Sequence, residues 1–347
     1  MRKFLSLAFA TVATVFTSSQ AFAWDYEGHR TVNQLALASL PADFPAFVHT
    51  AEARERIAFL AGEPDRWRNI SDLPLRHINP PDHFIDLEDL DDAGIALSQL
   101  NEFRYSFIVQ LAAGRAAHPE RFPAIDPEKN KDHTRELIGL LPWSITEYYA
   151  KLKSEFSYLK AYEELGTPEE IANAQANVIY VMGVMGHYVG DGAQPLHTTK
   201  NYNGWVGENP HGYTTARTFH SWIDGGFFFK TGGISSAALA PRLKPAALLP
   251  PPKETGGRDA MFVNVLNYLT DQHTKLEPLY ELEKDGKLNA DGANADGRTF
   301  LENQILTAGN MLGSIWLTAW REAPQDIYLH SQLLQRKTAS NKPAPKP

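Results

Sequence analysis

TPEEIANAQANVIYVMGVMGHYVGDGAQPLH, residues 167–197, decides the fold of this chain. Thr167 suits a helix N-cap, Pro168 the first helical position, and Glu169 and Glu170 the positive end of the helix. The apolar run over 168–192 then predicts one long helix, stopped by Pro195. Gly183, Gly186 and Gly190 recur within it at three- and four-residue spacing. A glycine inside a helix costs about 1 kcal/mol relative to alanine. Their spacing predicts that another backbone, or ligands from another helix, must approach this face closely. His187 and Asp191 are four residues apart, so both side chains project from one side of the helix, and His197 follows the proline.

Most of the remaining chain also reads helical. Val32, Leu35, Ala36 and Leu40 recur at helical spacing, as do Phe103, Phe107, Val109 and Leu111. Residues 131–163 predict one or two helices broken near Pro142, and 299–320 a late helix carrying Phe300, Ile305, Leu306, Met311, Leu312 and Trp316. No sustained two-residue alternation occurs, so few strands are expected. Residues 199–214 and 240–257, the latter with Pro250-Pro251-Pro252, read as linkers. DGKLNADGANADGR, residues 285–298, lacks the ligand spacing of a calcium loop and reads as a plain loop. The expectation is an all-α fold: a single, mostly helical domain over 24–335 with a disordered tail over 336–347. No internal repeat is found.

The chain opens MRKFLSLAFATVATVFTSSQAFA: a positive Arg2-Lys3 start, an apolar stretch from Phe4 to Phe16, and a small-x-small site at Ala21-Phe22-Ala23. This pattern predicts a signal peptide over 1–23, export to the periplasm or medium, and Trp24 as the new amino terminus. The remaining 324 residues (347 less 23) are ample for a sizeable core. There is no cysteine, which excludes disulfides, a thiol nucleophile and zinc–thiolate sites. The formal charge of −8 becomes −10 once Arg2 and Lys3 leave. That balance argues against a nonspecific duplex-DNA coat, but not against a nuclease whose positive charge is metal.

The His187–Asp191 spacing recurs at His220 and Asp224 in FHSWID. One such pair is readily a buried ion pair. Two pairs, with His197 between them, point to metal. Nitrogen and carboxylate donors without sulfur suit zinc and would tolerate manganese or iron. The Glu-x-x-His signature of di-iron bundles is found at neither pair. His77, His118, His133, His211, His273 and His330 lack partners at ligand spacing, and His49 sits in the apolar helix expected for AFVHT.

These residues resemble the zinc-dependent phospholipase C and S1/P1 nuclease superfamily, over nearly the whole chain after residue 23. Its mature chains begin with tryptophan, matched by Trp24. The nuclease branch follows with Gly-His, matched by Gly28-His29, and with an aspartate three residues before an arginine, matched by Asp65 and Arg68 in EPDRWR. A His-Phe-x-Asp context is matched by His83-Phe84-Ile85-Asp86. The central His-x-x-x-Asp and next histidine match His187, Asp191 and His197, and the last pair matches His220 and Asp224. The resemblance implies a helical domain of that type around a cleft with three zinc ions. One zinc would take Asp65, His83, His187 and Asp191. A second would take His197, His220 and Asp224. The third would take the Trp24 amine and carbonyl, His29 and Asp191, with Asp191 bridging.

The chemistry so implied is phosphoester hydrolysis by a metal-activated water, with Asp65 orienting or deprotonating that water and Arg68 clamping a phosphate oxygen. Single-stranded RNA or DNA, or 3′-nucleotides, are the first expected substrates. The Trp24-to-His29 spacing, the HFIDLED stretch and Asp224 support that branch. Phospholipid head groups are the alternative, supported by the absent cysteines, Glu27 and the FHS context of His220. The two aromatics that accompany such a glutamate in choline binding fall at Arg66 and Pro80, which offer no ring to a cation. The nuclease branch's Gly-Gly-Asn turn is also missing from NYNGWVGENPHGYTTARTF, where Tyr202, Trp205 and Tyr213 are the candidates to stack a base. A non-catalytic zinc-binding protein is the remaining reading. No obligate protein partner is implied.

Overall fold

The computed structural model describes residues 24–290 and 295–340. The expected signal peptide over 1–23 lies outside the described residues, as do 291–294 and 341–347. The described chain is a single all-helical domain. It contains no strand, only isolated bridges at Ile85–Gly139 and Tyr202–Gly204.

The helix Pro168–Ala193 is the axis of the fold. Thr167 starts it with a reciprocal cap: Glu170 N donates to Thr167 Oγ1 at 3.3 Å, and Thr167 N donates to Glu170 Oε2 at 2.9 Å. Its first half alternates buried and exposed positions, whereas every residue from Val181 to Ala193 is buried. A helix that is apolar all round belongs inside a domain. Four helices enclose it: Tyr26–Ser39, Ala51–Leu60, Leu141–Leu165 and Ala295–Glu322.

The expected close approaches are found at the helical glycines. A Cβ on Gly183 would stand 2.5 Å from Leu60 Cβ, and one on Gly190 would stand 2.9 Å from His29 Nδ1. One on Gly186 would overlap Asn33 Oδ1. Asn33 is fully buried and donates through Nδ2 to Ile57 O at 2.8 Å and Gly183 O at 3.0 Å. A single amide thus joins three helices and satisfies backbone carbonyls that water cannot reach.

Several sequence expectations are corrected. Residues 131–140 are not helical; Pro142 opens the helix Leu141–Leu165 instead of breaking one. Proline lacks only an N–H that the first turn leaves unpaired anyway. The second apolar segment forms the helix Arg104–Ala117, but Phe103 and Val109 are exposed and only Phe107 and Leu111 are buried. His49 ends a short 3-10 turn, Ala46–His49. The loop expected over 285–298 has ended by Ala295, where the last long helix begins. The tail expected from 336 is helical through Ser340, within Ile327–Ser340, and Arg336 clamps Glu170 with bonds of 2.6 and 2.8 Å. No helix among the described residues is long and apolar enough to cross a membrane.

Candidate metal centre

Six separate segments deliver the candidate ligands. His29 enters from the helix Tyr26–Ser39, whose start Asp25 caps by accepting from Gly28 N at 3.0 Å. Asp65 stands on the short helix Glu63–Arg68, and His83 closes the turn Pro80–His83. His187 and Asp191 come from the buried end of the axial helix, and His197 from the turn Pro195–Thr198 that follows it. His220 lies on Phe219–Ser221, which runs into a π-helical turn, Trp222–Gly226, bearing Asp224. π-Turns within helices are frequent at functional sites.

A short extended segment holds two of these ligands in register. Ile85 N donates to His197 O at 2.9 Å, Asp86 N to Ile138 O at 2.7 Å, and Leu87 N to Thr198 O at 3.2 Å. Gly139 lies against this segment at φ +97°, and a Cβ there would overlap Phe84 O. Only glycine meets both conditions.

The side chains converge into one buried constellation with three overlapping groups: His29, His187 and Asp191; Asp65, His83 and His187; and His197, His220 and Asp224. Within each group the donor atoms lie within 4.8 Å of one another. Asp191 stands between the groups. Its Oδ1 is 3.4 Å from His29 Nε2 and 3.8 Å from His197 Nδ1. Its Oδ2 is 3.0 Å from His83 Nδ1 and 3.4 Å from His187 Nε2. Asp65 Oδ1 lies 3.9 Å from His83 Nδ1 and 3.8 Å from His187 Nε2. In the third group His220 Nε2 is 3.0 Å from His197 Nε2 and 3.1 Å from Asp224 Oδ2. Trp24 is fully buried beside them, its indole donating to Gly190 O at 3.0 Å. Asp25 N donates to Asp224 O at 3.0 Å, which seats the backbone after Trp24 against the Asp224 turn.

Backbone carbonyls set the tautomers. His187 Nδ1 contacts Ala61 O at 2.7 Å and His197 Nδ1 contacts His83 O at 2.6 Å. A carbonyl only accepts, so each Nδ1 carries the proton and each bare Nε2 faces the cluster. Metal-binding histidines are commonly oriented this way. Gln194, also fully buried, donates to Asp224 Oδ1 at 2.9 Å and leaves Oδ2 toward His220.

As a metal-free cluster this arrangement is costly. Burial, then the neighbouring Asp65, pushes the Asp191 carboxyl well above the ordinary carboxylate range. Burial raises Asp65 and Asp224 too. Burial holds the imidazoles of His29, His83, His187 and His220 well below their usual range, and brings His197 down to about 3. His29 Nδ1 and Nε2, Asp191 Oδ1, His220 Nδ1 and Asp224 Oδ2 are buried without a hydrogen-bond partner. Unpartnered buried polar atoms each cost about 1–3 kcal/mol. Cations would answer both problems, because they bind the neutral imidazole and the ionised carboxylate. The residues therefore fit metal ions.

The constellation opens into a cleft of about 400 Å³ whose lining includes His83, His197, His220 and Arg68. Arg68 Nη2 lies 3.2 Å from Asp65 Oδ1, so the arginine both pairs with a candidate ligand and faces the cleft. Phe84, Asp86, Arg76, Lys129 and Arg135 also line it, as does Tyr202, whose ring centroid is 5.6 Å from that of His220. Of the three candidates for base stacking, only Tyr202 lines the cleft. Trp205 and Tyr213 pack on each other and on Tyr280, with centroids 4.9, 5.3 and 5.3 Å apart, so they are loop packing.

The other histidines make local contacts: His77 Nδ1 with Asp132 O at 2.7 Å, His273 Nδ1 with Thr198 O at 3.0 Å, His330 with Glu164 at 3.1 Å. The wall residues 129–135 carried no local signal, because only long-range contact brings them to the cleft. Gln194 stood beside Pro195 in the opening stretch, but nothing in spacing marks an amide as the orienting group of a distant carboxylate.

Fold and site together define an all-helical protein with buried His/Asp groups able to hold metal ions. No protein-family model matches the chain, and no curated protein matches it.

Replacing Gln194 by methionine removes the donor to Asp224 at similar volume. Metal affinity of the His197–His220–Asp224 group should fall about 10–100-fold, as when other orienting partners are lost. Elemental analysis after graded chelation checks this; an unchanged release profile would reduce Gln194 to packing.

Proposed function

We propose that this chain is a zinc-dependent phosphodiesterase of the phospholipase C/S1-P1 nuclease type. It holds three zinc ions and acts on single-stranded nucleic acid or nucleotides after export and cleavage at Ala23. The observation that carries this is the Asp191 carboxylate. Its two oxygens face different ligand groups at 3.0–3.8 Å, beneath a cleft that Arg68 helps line. The sulfur-free donor set supports zinc. His29, Asp191 and the Trp24 backbone would hold one ion; Asp65, His83, His187 and Asp191 another; His197, His220 and Asp224 the third. When bound, zinc supplies positive charge for the phosphate oxygens and acidifies water.

The chain's own residues divide the remaining work. The Arg68 guanidinium, oriented by Asp65, binds a phosphate oxygen. Asp65 accepts the proton of the attacking water, whose oxygen bonds to phosphorus as the ester P–O bond breaks, and the leaving oxygen takes a proton from solvent. Phe84 and Tyr202 offer ring faces to a base. A choline head group is disfavoured. Glu27, its expected anchor, is exposed and lies 3.9 Å from Arg30, and the cleft wall carries arginines that repel a quaternary ammonium.

The test uses zinc-loaded protein with Trp24 as amino terminus, offered bis-p-nitrophenyl phosphate, single-stranded RNA and phosphatidylcholine vesicles. Hydrolysis of the first two is expected. Release of phosphocholine without nucleotide products would move the reading to the lipase branch, and no turnover at all would leave a zinc-binding protein. Asp65→Asn should cost about 10²–10⁴-fold in rate. Full activity of that variant would remove Asp65 from proton transfer.

A further inference from the structure

The outer wall of the cleft has no role in the chemistry above. Arg76, Lys129 and Arg135 line the same cleft as Arg68 and the candidate ligands. The chain is acidic overall, with a formal charge of −8, so this grouping of cations is local and not compositional.

The wall is built, not draped. Asn130 is buried; its Oδ1 accepts from Arg135 N at 3.1 Å, and its Nδ2 donates to Glu136 Oε1 at 2.6 Å. Arg135 Nε donates to Lys129 O at 2.8 Å. The segment is anchored to the helix Leu73–Ile78 twice, by Arg76 Nη2 to Asp132 Oδ2 at 3.4 Å and by His77 to Asp132 O at 2.7 Å. Two cations therefore stand on a fixed loop, and groups already held in place lose little entropy on binding. Lys129 has one acidic neighbour, Asp126 at 3.5 Å, and both side chains are at least half exposed, so water screens that pair. No carboxylate pairs with Arg135 among the described residues.

A substrate with one phosphate would engage the candidate metals and Arg68. Cations farther out gain a counter-charge only if the substrate carries further phosphates. We infer that Lys129 and Arg135, with Arg76, form a second phosphate subsite, which receives the phosphate next to the scissile one in a polynucleotide strand. This rests on the phosphodiesterase reading and names what it selects: a chain of phosphates over a single one. An anionic bilayer fits less well. Glu128 is 85 % exposed on the same segment, paired only with the exposed Lys131, and would face that surface.

The experiment compares native protein with Lys129→Gln/Arg135→Gln, both full-length after processing and zinc-loaded. The substrates are an oligothymidylate and a dinucleoside monophosphate, which has one phosphate. Anisotropy of labelled oligothymidylate measures binding separately from turnover. The ratio of kcat/KM on oligomer to that on dinucleotide should fall about tenfold at low salt. The salt slope of log affinity for the oligomer should become shallower by about 1.4, from roughly 0.7 per lost single-strand contact. Because both side chains are exposed, an unchanged circular dichroism spectrum is expected. An unchanged ratio and slope would overturn the subsite. So would equal losses on both substrates, or loss of binding to phosphatidylglycerol vesicles with oligomer binding intact. If neither protein turns over any substrate, the phosphodiesterase reading fails, while the anisotropy slope still decides the subsite.

Discussion

Asp191→Ala should strip more than one metal ion from the protein and lower its unfolding midpoint in zinc by on the order of 10 °C or more. The carboxylate faces His29 and His197 with one oxygen and His83 and His187 with the other, so removing it weakens two ligand groups together. A ligand at about 1,000 times its Kd stabilises by about 4 kcal/mol, and each kcal/mol moves the midpoint of a large domain by about 2–4 °C. The prediction has a second half of opposite sign. In excess chelator the native protein keeps a fully buried carboxylate with an unpartnered Oδ1. An uncompensated buried charge is costly, and truncating it then relieves the fold. The variant should be the less stable protein in zinc and no less stable than native in chelator. Differential scanning calorimetry under both conditions tests this. Equal destabilisation in both would make Asp191 a structural residue and not a ligand.

Gly186→Ala should destabilise the protein by about 3–5 kcal/mol, from overpacking together with a disrupted buried amide. Helix propensity alone predicts the reverse, a gain of about 1 kcal/mol. The structure decides the sign. The added methyl would overlap Asn33 Oδ1 and approach Leu312 Cδ2 to 2.9 Å. Asn33 cannot swing away without releasing the carbonyls of Ile57 and Gly183. The displaced helix also carries His187, so metal affinity should fall with stability. Urea unfolding of both proteins in saturating zinc gives the number, and a stabilised variant would show that the helices have room to part.

The axial helix was readable because its cues are local: a cap, a proline at the first turn, an apolar run and a proline after it. The glycines carried a longer-range message in a local form, since repeated glycine in a strong helix makes sense only if something lies against it. His187 with Asp191, and His220 with Asp224, were legible because helical geometry converts a four-residue spacing into a shared direction. Pro142 misled, because a proline that breaks a helix and one that begins it look alike without knowledge of the preceding residues. Trp205 and Tyr213 misled as well: an aromatic in a polar loop reads the same whether it awaits a ligand or a neighbour such as Tyr280.

The sequence by itself determined an all-helical chain, the ends of its central helix, and the residue types fit to bind metal. Those properties follow from neighbours within a turn or two. Only the tertiary structure decided that His29, Asp65 and His83 reach the same buried space as Asp191, that Gln194 turns Asp224, and that Lys129 and Arg135 stand at the mouth of the cleft. Each depends on contacts between residues far apart along the chain. Such contacts are set by packing of the whole core, and no local pattern encodes them.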